Sequence, residues 1–542
     1  MYKYIKYAFA TASLVFASTS CSDFGDVNID PEHMNEGNVP YEMLFTNAQH
    51  QGLGSDWDVW RNGCIYCGQW MQHIASIYNW WTYSFYRWND GYSAAYWDIY
   101  AGDRGAVRDI TTVMDLWATE NGYEVDYNMA RIMRVYIMHR MTDLYGDVPY
   151  SQAGRPAEFS YPIYDTQESI YKDMLKELNE AQANLQGAGT AKMGAHDVYF
   201  QGDAEKWRKF ANSLMLRLAM RMSKVDPTSA KEWVNTAISN GLLESIADNV
   251  KLDHPEGVTT DDSSEPYAKI FAHEARGEFF LSDVFVNMLK ESDDPRLALV
   301  GTVCEDPTIS HQAGSSFQYG NSDPAIQKGL PCGYSNDPTN NWFIGRDYPE
   351  FNDDKYLDEY ESKYSTVNRY TYSNPTSHTY LVTYAQQQLL LAEAAVRGWI
   401  SGNAKSYYEE GVQAAMKQFS QYTNATSLYN QYITTEAINK YFEKNPFNES
   451  KALEQINTQY WITCFCDEYE SFANWRRSGY PQLTPTYDPA NPYPECATDG
   501  SIPRRFRYPT TESQVNTDNY NEAVSRLNQG DTFSSRVWWD KE

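Results

Sequence analysis

Ten aromatic rings crowd the twenty positions 78–97, YNWWTYSFYRWNDGYSAAYW: Tyr78, Trp80, Trp81, Tyr83, Phe85, Tyr86, Trp88, Tyr92, Tyr96 and Trp97. Asn79, Thr82, Arg87, Asn89 and Asp90 are interleaved with them, and Asp56, Trp57 and Asp58 stand just upstream. Residues of these types do non-covalent chemistry. Tyr and Trp present a flat apolar face with a polar tip, which suits a sugar ring whose C–H groups lie on one face and whose hydroxyls line the rim. Asp, Asn and Arg exchange hydrogen bonds with such hydroxyls. Stacking one sugar face removes roughly 100 Å² of apolar surface from water, on the order of 2–3 kcal/mol as an upper bound at about 25 cal/mol per Å². Neighbours on a strand point to opposite sides, so Trp80 and Trp81 cannot both face a core there, and at least one indole, Trp81 by preference, is expected at the surface. A second such mixture follows in NNWFIGRDYPEF and NRYTYSNP, with Asn341, Trp342, Arg346, Tyr370 and Tyr372. The expected ligand contacts are Trp80, Trp81, Tyr83, Asp58, Asn89, Asp90, Trp342, Arg346, Tyr370 and Tyr372.

Catalytic and metal signatures are weak. HEARGE, from His273, lacks the second histidine of a zinc protease, and no G-x-S-x-G occurs. Carboxylate pairs are too numerous in so acidic a chain to single out a glycosidase dyad; the protein is expected not to be an enzyme. Cys64-Ile-Tyr-Cys67 has the spacing of half a zinc site, but Cys464-Phe-Cys466 has the wrong spacing to complete it and no histidine lies near. Structural thiols or an occasional disulfide fit better, seven cysteines besides Cys21 being an odd number. No cofactor is implied. The acidic loops leave a structural Ca²⁺ open, although no twelve-residue EF-hand loop is present.

The chain begins MYKYIKYAFATASLVFASTSC. Lys3 and Lys6 precede an apolar run over 7–16, too short to span a bilayer, and small residues then lead to Cys21. This reads as an export signal over 1–20, with Cys21 placed for lipidation. Ser18 stands where most lipoprotein signals carry Leu, and a plain secretory cut near Ser20 is the competing reading. Acyl chains contribute about 0.8 kcal/mol per buried CH₂, and later in the chain the most apolar run, 389–396, is interrupted by Glu393. The expected membrane attachment is the lipid alone. With 44 Lys+Arg against 72 Asp+Glu, a net charge of −28 disfavours nucleic acid and anionic lipid. Aromatic residues make up 15% of the chain, more than core packing asks for, which supports a ring-lined binding surface.

These residues need elements to position them. Met129, Ile132, Met133, Tyr136, Ile137, Met141 and Leu144 recur at helical spacing and stop before Gly146 and Pro149. A second helix is predicted after Thr166, a third from Ala204 and a fourth from Pro227. Helices return in TYAQQQLLLAEAAVRGW, SYYEEGVQAAMKQF and ALEQINTQYWITCFCDEYESFANWRR. The block 250–375 is rich in Gly, Pro, Asp, Ser and Tyr and reads as loops and short strands, as does the end from 480. Paired helices of about 34 residues per unit suggest a degenerate tetratricopeptide-like stack. The fold class is therefore mainly α: a helical scaffold (about 110–250 and 380–478) carrying a loop-rich, ligand-presenting part with few short strands (about 40–105 and 250–375), all within 21–542.

Seven blocks in order sharpen this reading: DLYGDVPYSQA, GDAEKWRKFANSLMLRLAMRMSKVDP, DDPRLA, TYAQQQLLLAEAAVRGW, QYWITCFCDEYESFANWRRSGYP, IPRRFRYPTTE and RVWWDK. Together they resemble the SusD/RagB family of nutrient-binding outer-membrane lipoproteins, in its SusD-like branch. The resemblance implies a tetratricopeptide-like scaffold, capture of an oligosaccharide or polysaccharide at the cell surface, and service as a lid on a SusC-like TonB-dependent transporter. Within it, Ser22, Asp23 and Asp26 look like a surface-export tag. Some members serve oligopeptide importers, so a peptide receptor, or a lid with little affinity of its own, are the alternatives. Trp207, Trp461, Trp475, Trp538 and Trp539 fall in scaffold blocks and are expected in the core. Gln386 replaces the family's usual acidic residue, a change expected to touch packing.

Overall fold

The computed structural model describes residues 40–78, 83–101, 105–256, 263–274, 277–304, 320–348, 363–490, 492–493 and 495–542. The leader and Cys21, and the pair Trp80 and Trp81, lie outside the described residues.

Helices carry the core, and their ends follow from local chemistry. The first is α1, Tyr41–Gln51; then come α2, Ala106–Trp117, and α3, Glu124–Tyr145. The Thr166 hydroxyl accepts the Ser169 N–H to open α4, Gln167–Leu185; Asp203 accepts from Glu205 and Lys206 to open α5, Ala204–Arg221. Asp226, with Pro227 in the first turn, opens α6, Pro227–Asn240. Each of these helices packs on the next. Inside the loop-rich block the longest helix among the described residues is α7, Asp283–Glu291, capped by Ser282. The scaffold resumes with α8, Tyr384–Val396, α9, Ala404–Lys417, α10, Ala452–Thr463, and α11, Glu468–Ser478. Contacts of α8 with α5, and of α11 with α3, join the two helical stretches into one stack. No helix among the described residues is long and apolar enough to cross a membrane.

Helix α3 departs from the one-sided reading. All residues from Asn128 to Tyr145 are buried, so its polar face meets protein rather than water. The buried charges are paired: Arg140 with Asp467 at 2.9 Å, Arg131 with Glu177 at 2.7 Å, and Asp143 accepting from Trp539 Nε1 at 3.0 Å. His139, Asp143 and Glu470 form a cluster of metal-ligand type, but Arg221 and Arg217 already supply its positive charge. Burial alone would raise the Glu470 carboxyl; Arg221 and Arg217 hold it down to about 2. Trp207, Trp461 and Trp539 are fully buried and Trp475 nearly so, whereas Trp538 is only half-buried, its ring beside Tyr171. Gln386 caps α8 with Thr383 and accepts from Arg217 at 2.9 Å, a packing role.

Two helices also occupy the stretch expected to be loop-rich at the N-terminal side, α1 and a ten-residue π-helix, Val59–Gly68. The π-helix encloses Cys64 and Cys67, and burial pushes both thiols well above their ordinary value. No disulfide joins the seven cysteines among the described residues. Strands are few and short. β1, Ile74–Ala75, pairs antiparallel with β3, Phe280–Leu281; β2, Val250–Asp253, with β6, His378–Val382; β4, Gly301–Thr302, with β5, Thr366–Val367.

Candidate ligand-binding site

The short β1–β3 pairing fixes where the aromatic segment meets the irregular block. Leu330 joins the edge of β3 through Leu330 N–H to Leu281 O at 2.8 Å, and Asn336 N–H donates to Ile77 O at 2.7 Å. A satellite core of Ala75, Ile77, Phe280, Leu330, Ile344 and Tyr364, separate from the main one, supports this junction. From it rises a closed loop: Ser335 and Phe343 bridge, with Ser335 N–H donating to Trp342 O at 2.9 Å and Ile344 N–H to Ser335 O at 2.9 Å.

A third segment, 484–497, closes against the other two. Arg87 and Cys496 form an antiparallel bridge, and Ala497 N–H donates to Tyr86 O at 2.9 Å. Thr486 N–H donates to the Tyr86 hydroxyl at 3.0 Å, and the Thr486 hydroxyl to Ser84 O. Burial pushes the Tyr86 hydroxyl up to about 12. Tyr86 has φ 60°, a conformation rare for a bulky side chain, and its two-sided anchorage holds the chain there.

At the convergence three rings meet. Phe85 stacks on Tyr493 at 4.9 Å with 10° between planes, Trp342 stands edge-on to Tyr493 at 4.8 Å, and Phe85 lies 5.5 Å from Trp342. Phe85 is 2% exposed and backs the cluster, while Trp342 and Tyr493 are half-buried at its outer side. Beside them Arg87 pairs with Glu495 at 2.6 Å, and burial, with Glu495, raises the Tyr493 hydroxyl against the opposing pull of Arg87. Arg346 is exposed on the same loop as Trp342 and faces Asp347 at 3.4 Å. Asn89 caps a short turn, accepting from Tyr92 N–H at 3.2 Å, and its amide nitrogen has no partner among the described residues. The surface is an apolar shelf with an ionic and amide rim.

Other expected contacts are placed elsewhere. Asp58 is fully buried, accepts from Ser55 N–H and hydroxyl at 3.0 Å, and cannot reach a ligand. Asp90 spends both carboxylate oxygens on Thr510, one on its N–H at 3.0 Å and one on its hydroxyl at 2.5 Å. Tyr372 packs edge-on against Phe419, Tyr422 and Phe465, a scaffold seam, because the turn at 368–374 is tied by Asn368 and Thr371 to the carbonyls of Ala298 and Leu299. Tyr370 is half-buried in that same turn. Tyr83 opens a short 3₁₀ turn, Tyr83–Phe85. Trp80 and Trp81 fall between Tyr78 and this turn, outside the described residues. The sequence reading missed Tyr493, Glu495 and the backing role of Phe85. The one available signal was the Pro- and Tyr-rich run TYDPANPYPEC, 486–496.

A family profile described as SusD-like, starch-binding and associating with the outer membrane, matches residues 33–509. The chain belongs to the SusD-like family. Solved structures agree. A chitin-binding protein is similar at 29% identity and a TM-score of 0.76, over 93% of this chain and all of the other. A Bacteroidetes SusD-like protein, AC2a, matches at 26% identity and 0.75 over the same shares. A chitin-binding SusD homolog from Flavobacterium johnsoniae matches at 25% identity and 0.70, covering 93% of this chain and 99% of that one. None of the curated proteins matches. The helical, tetratricopeptide-like fold read above is that of these SusD-like structures.

Proposed function

We propose that this SusD-like protein captures a glycan chain by stacking it on Trp342 and Tyr493, with Arg87, Glu495, Arg346 and Asn89 serving the hydroxyl rim. Trp80, Trp81 and Tyr83 belong to the same reading as further stacking positions, being close in sequence to Phe85, which backs the cluster. The observation that carries it is the half-buried Trp342–Tyr493 pair seated on buried Phe85, an apolar shelf built at the meeting of three loops. The two chitin-binding relatives support a glycan ligand and make β-linked N-acetylglucosamine chains, with starch, the first to try. Two or three stacked sugars, less the costs of association and ordering, give affinities of roughly micromolar to millimolar. That range suits a receptor that hands its cargo on. Anchorage by lipid on Cys21, exposure on the outer face of the outer membrane, and a lid role on a SusC-like TonB-dependent transporter complete the proposal, resting on the leader and on family membership.

Calorimetry against oligosaccharides of chitin, starch, xylan, mannan and fructan, beside a mixed peptide digest, tests the reading. One glycan series should bind in the stated range and peptides should give no heat. Heat from peptides alone would favour the oligopeptide receptor; silence in every cell would favour the lid without affinity of its own.

A further inference from the structure

A second exposed indole stands apart from the shelf. Trp57 is 43% exposed, at the start of a short helix, Asp56–Asp58, that runs into the π-helix. One face of its ring is covered by the Arg61 guanidinium. Arg61 is itself 6% exposed and is enclosed by Trp60 and Tyr92, whose ring centroids lie at 5.5 and 5.1 Å. Trp60 also meets Trp57 edge-on at 6.2 Å. A cation held over one face leaves the indole fixed, with the other available to solvent. Long π-helical segments are rare and cluster at functional sites; here the segment brings Arg61 back over Trp57.

Polar groups surround its neighbour Asp56. Asp56 pairs with Lys269 at 3.0 Å, and both line a cavity of about 100 Å³ together with His50, Gln51, His254 and Ser264. Ser264 is 2% exposed and its hydroxyl has no hydrogen-bond partner among the described residues. An exposed indole next in sequence to Asp56, whose recess offers hydroxyl, amide and ion-pair groups, supplies the two kinds of contact that a sugar ring and its substituents use.

The chain links the two regions. The π-helix runs ten residues and, being wound more widely, spans less than the ~15 Å of an α-helix of that length. The segment 85–92 returns along it: Asn89 N–H donates to the Tyr66 hydroxyl at 3.0 Å, and Asn62 donates to Tyr92 O at 2.9 Å. Phe85 and Arg87 thus stand towards one end of this strip, and Tyr92, against Arg61, towards the other. We infer that Trp57 is a second stacking position, holding a distant glycosyl unit of the same chain whose leading units lie on Trp342 and Tyr493. This rests on the glycan reading above and adds to it a requirement for chain length.

The test compares the trisaccharide and hexasaccharide of whichever series binds, chitin or starch, on wild type, Trp57→Ala, Trp57→Phe and Trp342→Ala. Trp57→Ala should weaken hexasaccharide binding roughly tenfold, leave the trisaccharide unchanged, and keep the melting temperature, since the ring is substantially exposed. Trp57→Phe should recover much of the loss. Trp342→Ala should weaken both lengths. Equal hexasaccharide affinity in Trp57→Ala and wild type, with Trp342→Ala impaired, would overturn this inference and leave the glycan reading intact. A wild type that binds neither length of either series would overturn both.

Discussion

Replacing Glu393 by Gln removes one charge from the centre of the scaffold without changing its shape. Glu393 is 1% exposed; its oxygens take Arg477 at 2.6 and 2.7 Å, Arg397 at 2.8 Å and Asn457 at 3.1 Å. Burial alone would raise its carboxyl, but Arg477 and Arg397 lower it from the ordinary 4.5 to about 2. That depression corresponds to roughly 3 kcal/mol of folding stability, at about 1.4 kcal/mol per pH unit. Because the folded-state value lies below the unfolded one, the contribution is fully present above about pH 5 and is lost as pH falls towards 2. Linkage puts the loss at roughly 1 kcal/mol by pH 4 and roughly 2 kcal/mol by pH 3. Glu393→Gln mimics the protonated acid, so at pH 7 it should be less stable than wild type by about 3–4 kcal/mol, near the cost of breaking a buried pair. Urea unfolding followed by tryptophan fluorescence at pH 7, 4 and 3 measures this. The gap between the two proteins should narrow by about 2 kcal/mol from pH 7 to pH 3. A gap of the same size at every pH, or one below about 1 kcal/mol at pH 7, would refute the assignment of a depressed, doubly paired carboxylate.

Two further substitutions separate scaffold from site. Asp90→Asn weakens both bonds to Thr510 and should cost about 1–2 kcal/mol in urea unfolding, with glycan affinity by calorimetry unchanged. Tyr372→Ala empties the seam between Phe419, Tyr422 and Phe465 and should cost roughly 3–5 kcal/mol, again with affinity unchanged at a temperature where the variant is folded.

Much of the scaffold was legible because periodicity and caps act locally. Thr166, Asp203, Asp226 and Thr383 mark helix starts that the structure keeps. The reading failed where partners are distant. Helix α7 hides in a block dominated by turn residues, and α1 and the π-helix lie under an aromatic stretch whose density suggested loops. The burial of the polar side of α3 leaves no local trace, because Asp467, Glu177 and Trp539, which satisfy it, are remote in sequence. The same reason divides the site. Trp342 was visible from its own segment, but Tyr493 reaches it across some 150 positions through backbone ties at Tyr86 and Arg87 that leave no local trace. Asp58 and Asp90 looked like rim residues by composition, yet a hydrogen-bonding side chain next to aromatic residues can equally serve a nearby helix start or a remote backbone, and both do.

The measurement closest to the central claim is calorimetric titration of wild type and Trp342→Ala with the glycan that binds, paired with their melting temperatures. Losing one half-buried stacking face should weaken affinity by roughly ten- to a hundredfold, with a change of only a few degrees in melting temperature. Undiminished affinity in a folded Trp342→Ala protein would show that sugars are held somewhere other than the shelf of Phe85, Trp342 and Tyr493.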